Sequence, residues 1–187
     1  MKQNNKFSFG HIWLIIWIIV YFMSFFLDCT ELLGNKGMDI IQGEYYRFFT
    51  ALLVHVNLLH LVVNILGLYY TAEYLKERIS AVKLLILSGI AATIANLLFS
   101  LIYPGSVSIG GSPIIYAMLG ITLALHLLKK NMDRFNPNTV QTRWMLGYGI
   151  LGNIPIFSGN ISTLVIHLTA FVVAFALGSI VIKTKLL

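Results

Sequence analysis

The sequence predicts an all-α polytopic membrane protein, a bundle of six transmembrane helices. Three observations lead there. Hydrophobic residues make up 58% of the 187 residues and charged residues only 11%, with a mean hydropathy of +0.83. A soluble domain carries about 25% charge, so lipid must be the solvent for much of this surface. Six apolar stretches, each near the length a helix needs to cross the hydrocarbon, punctuate the chain. The charges between them segregate to alternate sides. The whole chain, 1–187, reads as one membrane domain with no internal repeat or low-complexity linker.

The first stretch, about 11–27, precedes Cys29. Phe26-Leu27-Asp28 lacks the small residues of a lipobox, and five further spans follow, so the segment is expected to be a retained span and not a cleaved signal. A lone cysteine also permits no internal disulfide. The outer segment 28–50 mixes Leu32, Leu33, Met38, Ile40, Ile41, Tyr45, Tyr46 and Phe48 with charges, as a segment resting in the interface does. Spans two and three are expected at about 51–72 and 82–103. The loop Tyr103 to Gly111 is uncharged and holds Pro104, Gly105, Gly110 and Gly111. Such a loop can dip below the membrane surface where protein shields it. Span four, about 112–128, opens with Ser112-Pro113, a comfortable helix start with Ser at the N-cap and Pro at the first helical position. Span five, about 142–157, carries Gly147, Gly149, Gly152 and Pro155, which suit either a movable gate or close helix contacts. Span six is expected at about 162–182.

Lys2, Lys6, Lys76, Arg78, Lys83, Lys129, Lys130, Arg134, Arg143, Lys183 and Lys185 gather on one side of this arrangement. The other side has Asp28, Glu31, Asp39 and Glu44 against Lys36 and Arg47. The positive-inside rule then makes both termini cytoplasmic, in a multi-pass protein of the cell membrane. The formal net charge of +6 is a matter of topology. No stretch is both soluble and basic, so nucleic acid is not expected as a partner.

All seven acids lie in loops or at span ends, which excludes an aspartyl intramembrane protease and argues against a carrier built on buried carboxylates. No His-Glu-x-x-His occurs, and no metal or cofactor is implied. Histidine remains within the spans. His60 and Asn64 share one face of span two, one turn apart, as interhelical hydrogen-bond glue or as part of a site. His55 lies about 140° round the helix from His60 and is expected in a different environment. His126 reads as interfacial beside Lys129, and His11 is unassigned.

Ser112 lies about 25 Å from the Lys129-Lys130 interface at 1.5 Å per residue, short of the hydrocarbon thickness of about 30 Å. A hydroxyl there is recessed below the outer surface. Ser112, Tyr116 and Gly120 recur every four residues, as do Ala170, Ala174 and Gly178 below His167. If these stripes pack together, Ser112 meets His167 at the outer end and Tyr116 lies under the imidazole. Serine becomes a nucleophile when a neutral base accepts its proton. With no buried acid nearby, the pair is expected to act as a dyad, its ring oriented by Tyr116. Acyl transfer also needs oxyanion donors, which the Ser112 N–H, His60 and Asn64 supply if span two faces the same cavity.

This ordered set resembles the rhomboid intramembrane proteases, over about Gly43 to Gly178. Gly43-Glu44-Tyr45-Tyr46-Arg47 is similar to the family's first-loop motif, with Tyr46 in place of a tryptophan. His55 with His60-Leu61-Val62-Val63-Asn64 is similar to the second-span motif, whose latter His and Asn serve the oxyanion hole. Gly110-Gly111-Ser112-Pro113 stands where the family has Gly-x-Ser-Gly, followed by the matching Tyr116. His167 with Ala170, Ala174 and Gly178 resembles the family's histidine followed by glycines. The resemblance implies a serine endopeptidase with catalytic Ser112 and His167, oxyanion residues His60 and Asn64, and supporting Tyr116, Gly110, His55 and Arg47. It implies transmembrane protein substrates within the lipid bilayer, cleaved near their outer end. It also implies a gate between spans two and five and, from the plain six-span form, a bacterial source. Pro113 and the alanines after His167 depart from the pattern. Pro113 leaves open the alternative of a non-cleaving relative that binds membrane clients.

Overall fold

A computed structural model describes residues 10–37, 42–130, 132–133, 135–154 and 161–184, the side chains of residues 10 and 11 excepted. Lys2, Lys6, Met38, Asp39, Ile40, Ile41, Arg134, Pro155 and Lys185, and the side chain of His11, lie outside this set. The described residues form helices α1 (Gly10–Met23), α2 (Cys29–Leu33), α3 (Arg47–Thr50), α4 (Leu58–Leu75), α5 (Ala81–Ile102), α6 (Ser112–Leu128), α7 (Val140–Leu151) and α8 (Ile161–Lys183), with a 3₁₀ turn at Ala51–Leu53. The expected all-α polytopic fold is present. By length and apolarity α4, α5 and α8 each suffice to cross a membrane, and α1 and α6 are shorter apolar helices.

Helix α6 is the core. Ile114, Ile115, Ala117, Ile121, Ala124 and Leu125 are all fully buried, and a helix apolar on every side belongs inside a bundle. It packs most extensively on α8, and also on α5 and α4, while α7 lies chiefly against α4. The α6–α8 contact is made by backbone proximity. A Cβ on Gly120 would stand 2.2 Å from the Phe171 carbonyl oxygen, and one on Gly178 would stand 3.3 Å from Ala124 Cβ. Lipid is as apolar as leucine, so close van der Waals packing of this kind holds membrane helices together. The outer sleeve is correspondingly apolar: Phe22, Leu59, Leu101, Leu127, Ile150, Val172 and Ile180 are all more than half exposed. A sleeve of that extent fits lipid and not water.

The apolar stretch expected as span two, 51–72, is divided. Its first residues form the 3₁₀ turn and an extended run, and the helix begins at Leu58. Asn57 explains the break, because its side chain accepts from the His60 N–H at 2.8 Å and caps α4.

The outer loops are tied to α5 by a polar network. Asn35 is fully buried. It donates to Ser100 Oγ at 2.9 Å and accepts from the Gly37 N–H at 3.1 Å. Asn96 donates to the Phe48 carbonyl at 2.8 Å and accepts from Ser108 Oγ at 2.9 Å. Asn35 and Ser108 also pair as an antiparallel bridge. The Gly110 N–H then donates to the Ala51 carbonyl at 2.9 Å. These bonds satisfy buried backbone and fix the loop that delivers Ser112. In the first outer segment Leu32, Tyr45 and Tyr46 are exposed while Phe48 and Arg47 are buried. Arg47 donates to the Glu31 and Gly34 carbonyls at 2.7 and 3.0 Å and to Glu44 at 2.5 Å.

Candidate active site

Helix α6 begins at Ser112 itself, with Gly111 in the cap position and no side-chain capping bond. The expected N-cap role of Ser112 is therefore corrected: the serine is the first helical residue, and its hydroxyl does not cap the helix. It lies 2.8 Å from His167 Nε2 instead. Gly110 before it has φ +126°, a region L side chains avoid. A Cβ at Gly110 would also stand 2.7 Å from His60 Cε1. The loop thus needs glycine both for its turn and for the approach of His60.

His167 is buried in α8, four per cent exposed. Tyr116 stacks on its ring, centroids 4.0 Å apart and planes 14° apart, as the two stripes of small residues require. The ring has a second neighbour that sequence reasoning missed. Asn153, just past the end of α7, has its Oδ1 3.0 Å from His167 Nδ1. Its Nδ2 donates to the Gly149 carbonyl at 2.7 Å and to the Tyr116 hydroxyl at 3.0 Å. The ring thus has Asn153 at its edge as well as the expected Tyr116 on its face. The available signal was that Asn153 is an amide at the outer end of a span, as Asn64 is.

On the α4 side, Asn64 is one per cent exposed. Its Oδ1 accepts from the Tyr148 hydroxyl at 2.5 Å, whereas its Nδ2 is buried without a partner. That nitrogen would be 4.0 Å from a Cβ on Gly110, so it faces the serine loop. The His55 ring lies 5.1 Å from that of His60 and 5.0 Å from that of Trp17. The separate environment expected for His55 is thus not found. The helical angle does not apply, because His55 precedes the helix. Arg47 pins the outer segment and is not in the cavity wall.

Ser112, His167, His60 and Asn64 line one cavity of about 890 Å³. Val63 of α4, Trp144 and Tyr148 of α7, and Pro113 complete much of its wall. Of the glycines in span five, Gly152 is in close contact, with a Cβ there 2.6 Å from the Tyr116 hydroxyl. Gly147 has open space and lines the cavity; the close-contact reading thus accounts for Gly152. Among the described residues no three of His, Cys, Asp and Glu converge as a metal site. A hydroxyl, an imidazole, an orienting amide and a free buried N–H donor at one depth form a constellation able to perform acyl transfer.

The family model of the rhomboid domain matches residues 42–184. The chain belongs to the rhomboid family. Rhomboid protease GluP of Bacillus subtilis is 28% identical over 140 residues, 70% of this chain and 27% of that protein. Rhomboid-like protease 3 of Toxoplasma gondii is 31% identical over 77 residues, 41% of this chain and 29% of that protein. RHOMBOID-like protein 1 of Arabidopsis thaliana is 28% identical over 90 residues, 48% of this chain and 23% of that protein. The matches span less than a third of each relative's length. This rhomboid is a multi-pass membrane protein, and the matched segment, 42–184, contains every cavity residue named above.

Proposed function

We propose that this rhomboid is an intramembrane serine endopeptidase that cleaves transmembrane segments of membrane proteins near their outer end. The single observation that carries the reading is the 2.8 Å contact of Ser112 Oγ with His167 Nε2, at the wall of a cavity flanked by buried donors. Ser112 Oγ attacks the scissile carbonyl carbon while His167 Nε2 takes the hydroxyl proton. The oxyanion that forms is bound by the Ser112 N–H, Asn64 Nδ2 and His60. Collapse breaks the C–N bond, and His167 returns the proton to the leaving amine. Water then attacks the acyl-enzyme, losing its proton to His167; the bond from the acyl carbon to Ser112 Oγ breaks, His167 returns that proton to Oγ, and the second product leaves as a carboxylic acid.

Substrate enters from the bilayer and no nucleic acid takes part. The cell membrane is the site of action, with both termini cytoplasmic in a bacterial host, and GluP is a protease-named bacterial relative. A second reading follows from Pro113, which lines the cavity beside the nucleophile: a pseudoprotease that holds membrane clients without cutting them. One experiment separates the two. Purified protein is treated with a fluorophosphonate probe, and a tagged single-span substrate is co-expressed with wild type, Ser112→Ala and His167→Ala. Labelling and cleavage are expected in wild type and at background in both variants, with thermal unfolding unchanged. A wild type that binds the substrate but neither labels nor cleaves establishes the pseudoprotease.

A further inference from the structure

Asn153 is the one polar group that touches His167 on the side away from Ser112 among the contacts described above. Its amide cannot be flipped. Nδ2 faces the Gly149 carbonyl at 2.7 Å, which only accepts, so the nitrogen must lie there and Oδ1 must face the histidine. The second Nδ2 hydrogen meets the Tyr116 hydroxyl at 3.0 Å. That hydroxyl passes its own proton to the Tyr148 carbonyl at 3.1 Å. Every polar atom of the amide is thereby committed, and the oxygen that faces His167 Nδ1 at 3.0 Å can only accept. Nδ1 must therefore carry a proton. In a neutral imidazole that leaves Nε2 with its lone pair free, toward Ser112 Oγ at 2.8 Å.

From this we infer that Asn153 is a positioning residue that sets the tautomer and tilt of His167, adding a third, orienting member to the serine–histidine pair. Tyr116 holds the ring plane by stacking at 4.0 Å but, lying on the face, cannot choose which ring nitrogen bears the proton. Asn153 performs that choice. It follows α7, which packs chiefly on α4 and whose Tyr148 holds Asn64. The base is thus competent only while the outer end of α7 is docked, and displacement of that end removes the orienting acceptor.

The inference rests on the serine-protease reading, and its test keeps the two apart. Asn153→Asp and Asn153→Leu both lose the two Nδ2 donor bonds, but only the aspartate keeps an acceptor for His167 Nδ1–H. The readouts are the rate of fluorophosphonate labelling of Ser112, which needs no transmembrane substrate to enter, and the thermal midpoint in detergent. Asn153→Leu is expected to slow labelling about 10²-fold, less than the ~10⁴ known where a buried aspartate orients the base. Asn153→Asp is expected to stay within about tenfold of wild type. Equal losses in both variants assign Asn153 a packing role and overturn the inference. Independently of any variant, ¹⁵N spectra of His167 in the wild type are expected to show protonated Nδ1 and bare Nε2; the reverse tautomer overturns it too. A wild type that never labels at Ser112 rejects the protease reading itself, and this inference with it.

Discussion

Asn64 holds a donor that no group among the described residues receives. Its Nδ2 is buried without a partner while Tyr148 fixes its Oδ1 at 2.5 Å. An unsatisfied buried N–H costs about 1–3 kcal/mol, and under the proposed protease reading a donor that faces the cavity would bind the oxyanion. Asn64→Ala is accordingly expected to lower kcat by about 10²–10³ with little change in KM. Its thermal midpoint is expected to fall modestly, because the buried Tyr148 hydroxyl loses its acceptor while the unmet Nδ2 donor goes with it. Wild-type turnover in Asn64→Ala would take this side chain out of the oxyanion site. His60 differs in kind: its ring stands against Gly110, where a Cβ would be 2.9 Å from Nε2, so replacing it alters the serine loop as well as any donor.

The element that holds this geometry from outside is the loop before α3. Arg47 is buried and donates to three acceptors: the Glu31 carbonyl, the Gly34 carbonyl and the Glu44 carboxylate. Its hydrogen bond holds the Glu44 carboxyl below its ordinary range, and the same bond raises the guanidinium. A carboxylate lowered on folding contributes stability above its unfolded pKa of about 4.3. That contribution is lost as pH falls through the lowered folded value. The thermal midpoint in detergent is thus expected to drop on acidification below the ordinary carboxylate range, and less steeply in Glu44→Gln. Parallel pH profiles for the two proteins would show that the pair does not hold the loop. Elements differ in how far the sequence announces them. The Ser112–Tyr116–Gly120 and His167–Ala170–Ala174–Gly178 stripes are legible because close helices need small residues at a helical repeat, and α6 and α8 meet there. Residues 51–57 are misread as helix because hydropathy does not separate a buried turn from a span; only Asn57, as a cap, marks the true start. Asn153 is only weakly marked, as an amide at a span end, because its reach to His167 depends on how the chain leaves α7, which no periodicity encodes.

At the scale of the whole molecule, Ser112 stands at one end of α6 and a group of basic residues gathers at the other. Lys129 Nζ donates to the Arg78 carbonyl at 2.9 Å, and the His126 ring meets the Tyr74 hydroxyl at 2.5 Å. These contacts bring the ends of α4 and α6 together on the side opposite Ser112, beside the loop that carries Lys76 and the first turn of α5 with Lys83. Charge asymmetry of this kind orients a membrane protein with its lysines and arginines inside. Helix α6 has 17 residues, about 25 Å at 1.5 Å per residue, against about 30 Å of hydrocarbon. If the basic end lies at the inner interface, the serine end stops short of the outer one. Under the proposed protease reading, that orientation decides which compartment supplies the hydrolytic water and which end of a substrate is cut. Alkaline phosphatase joined after Lys183 is expected to be inactive and a fluorescent protein there to fold. A cysteine placed at Gly105, in a variant with Cys29→Ser, is expected to react with an impermeant maleimide added to intact cells. Labelling only after lysis would put the serine on the inner face, and a nucleophile supplied with water from the cytoplasm would have to cut substrates at their inner ends.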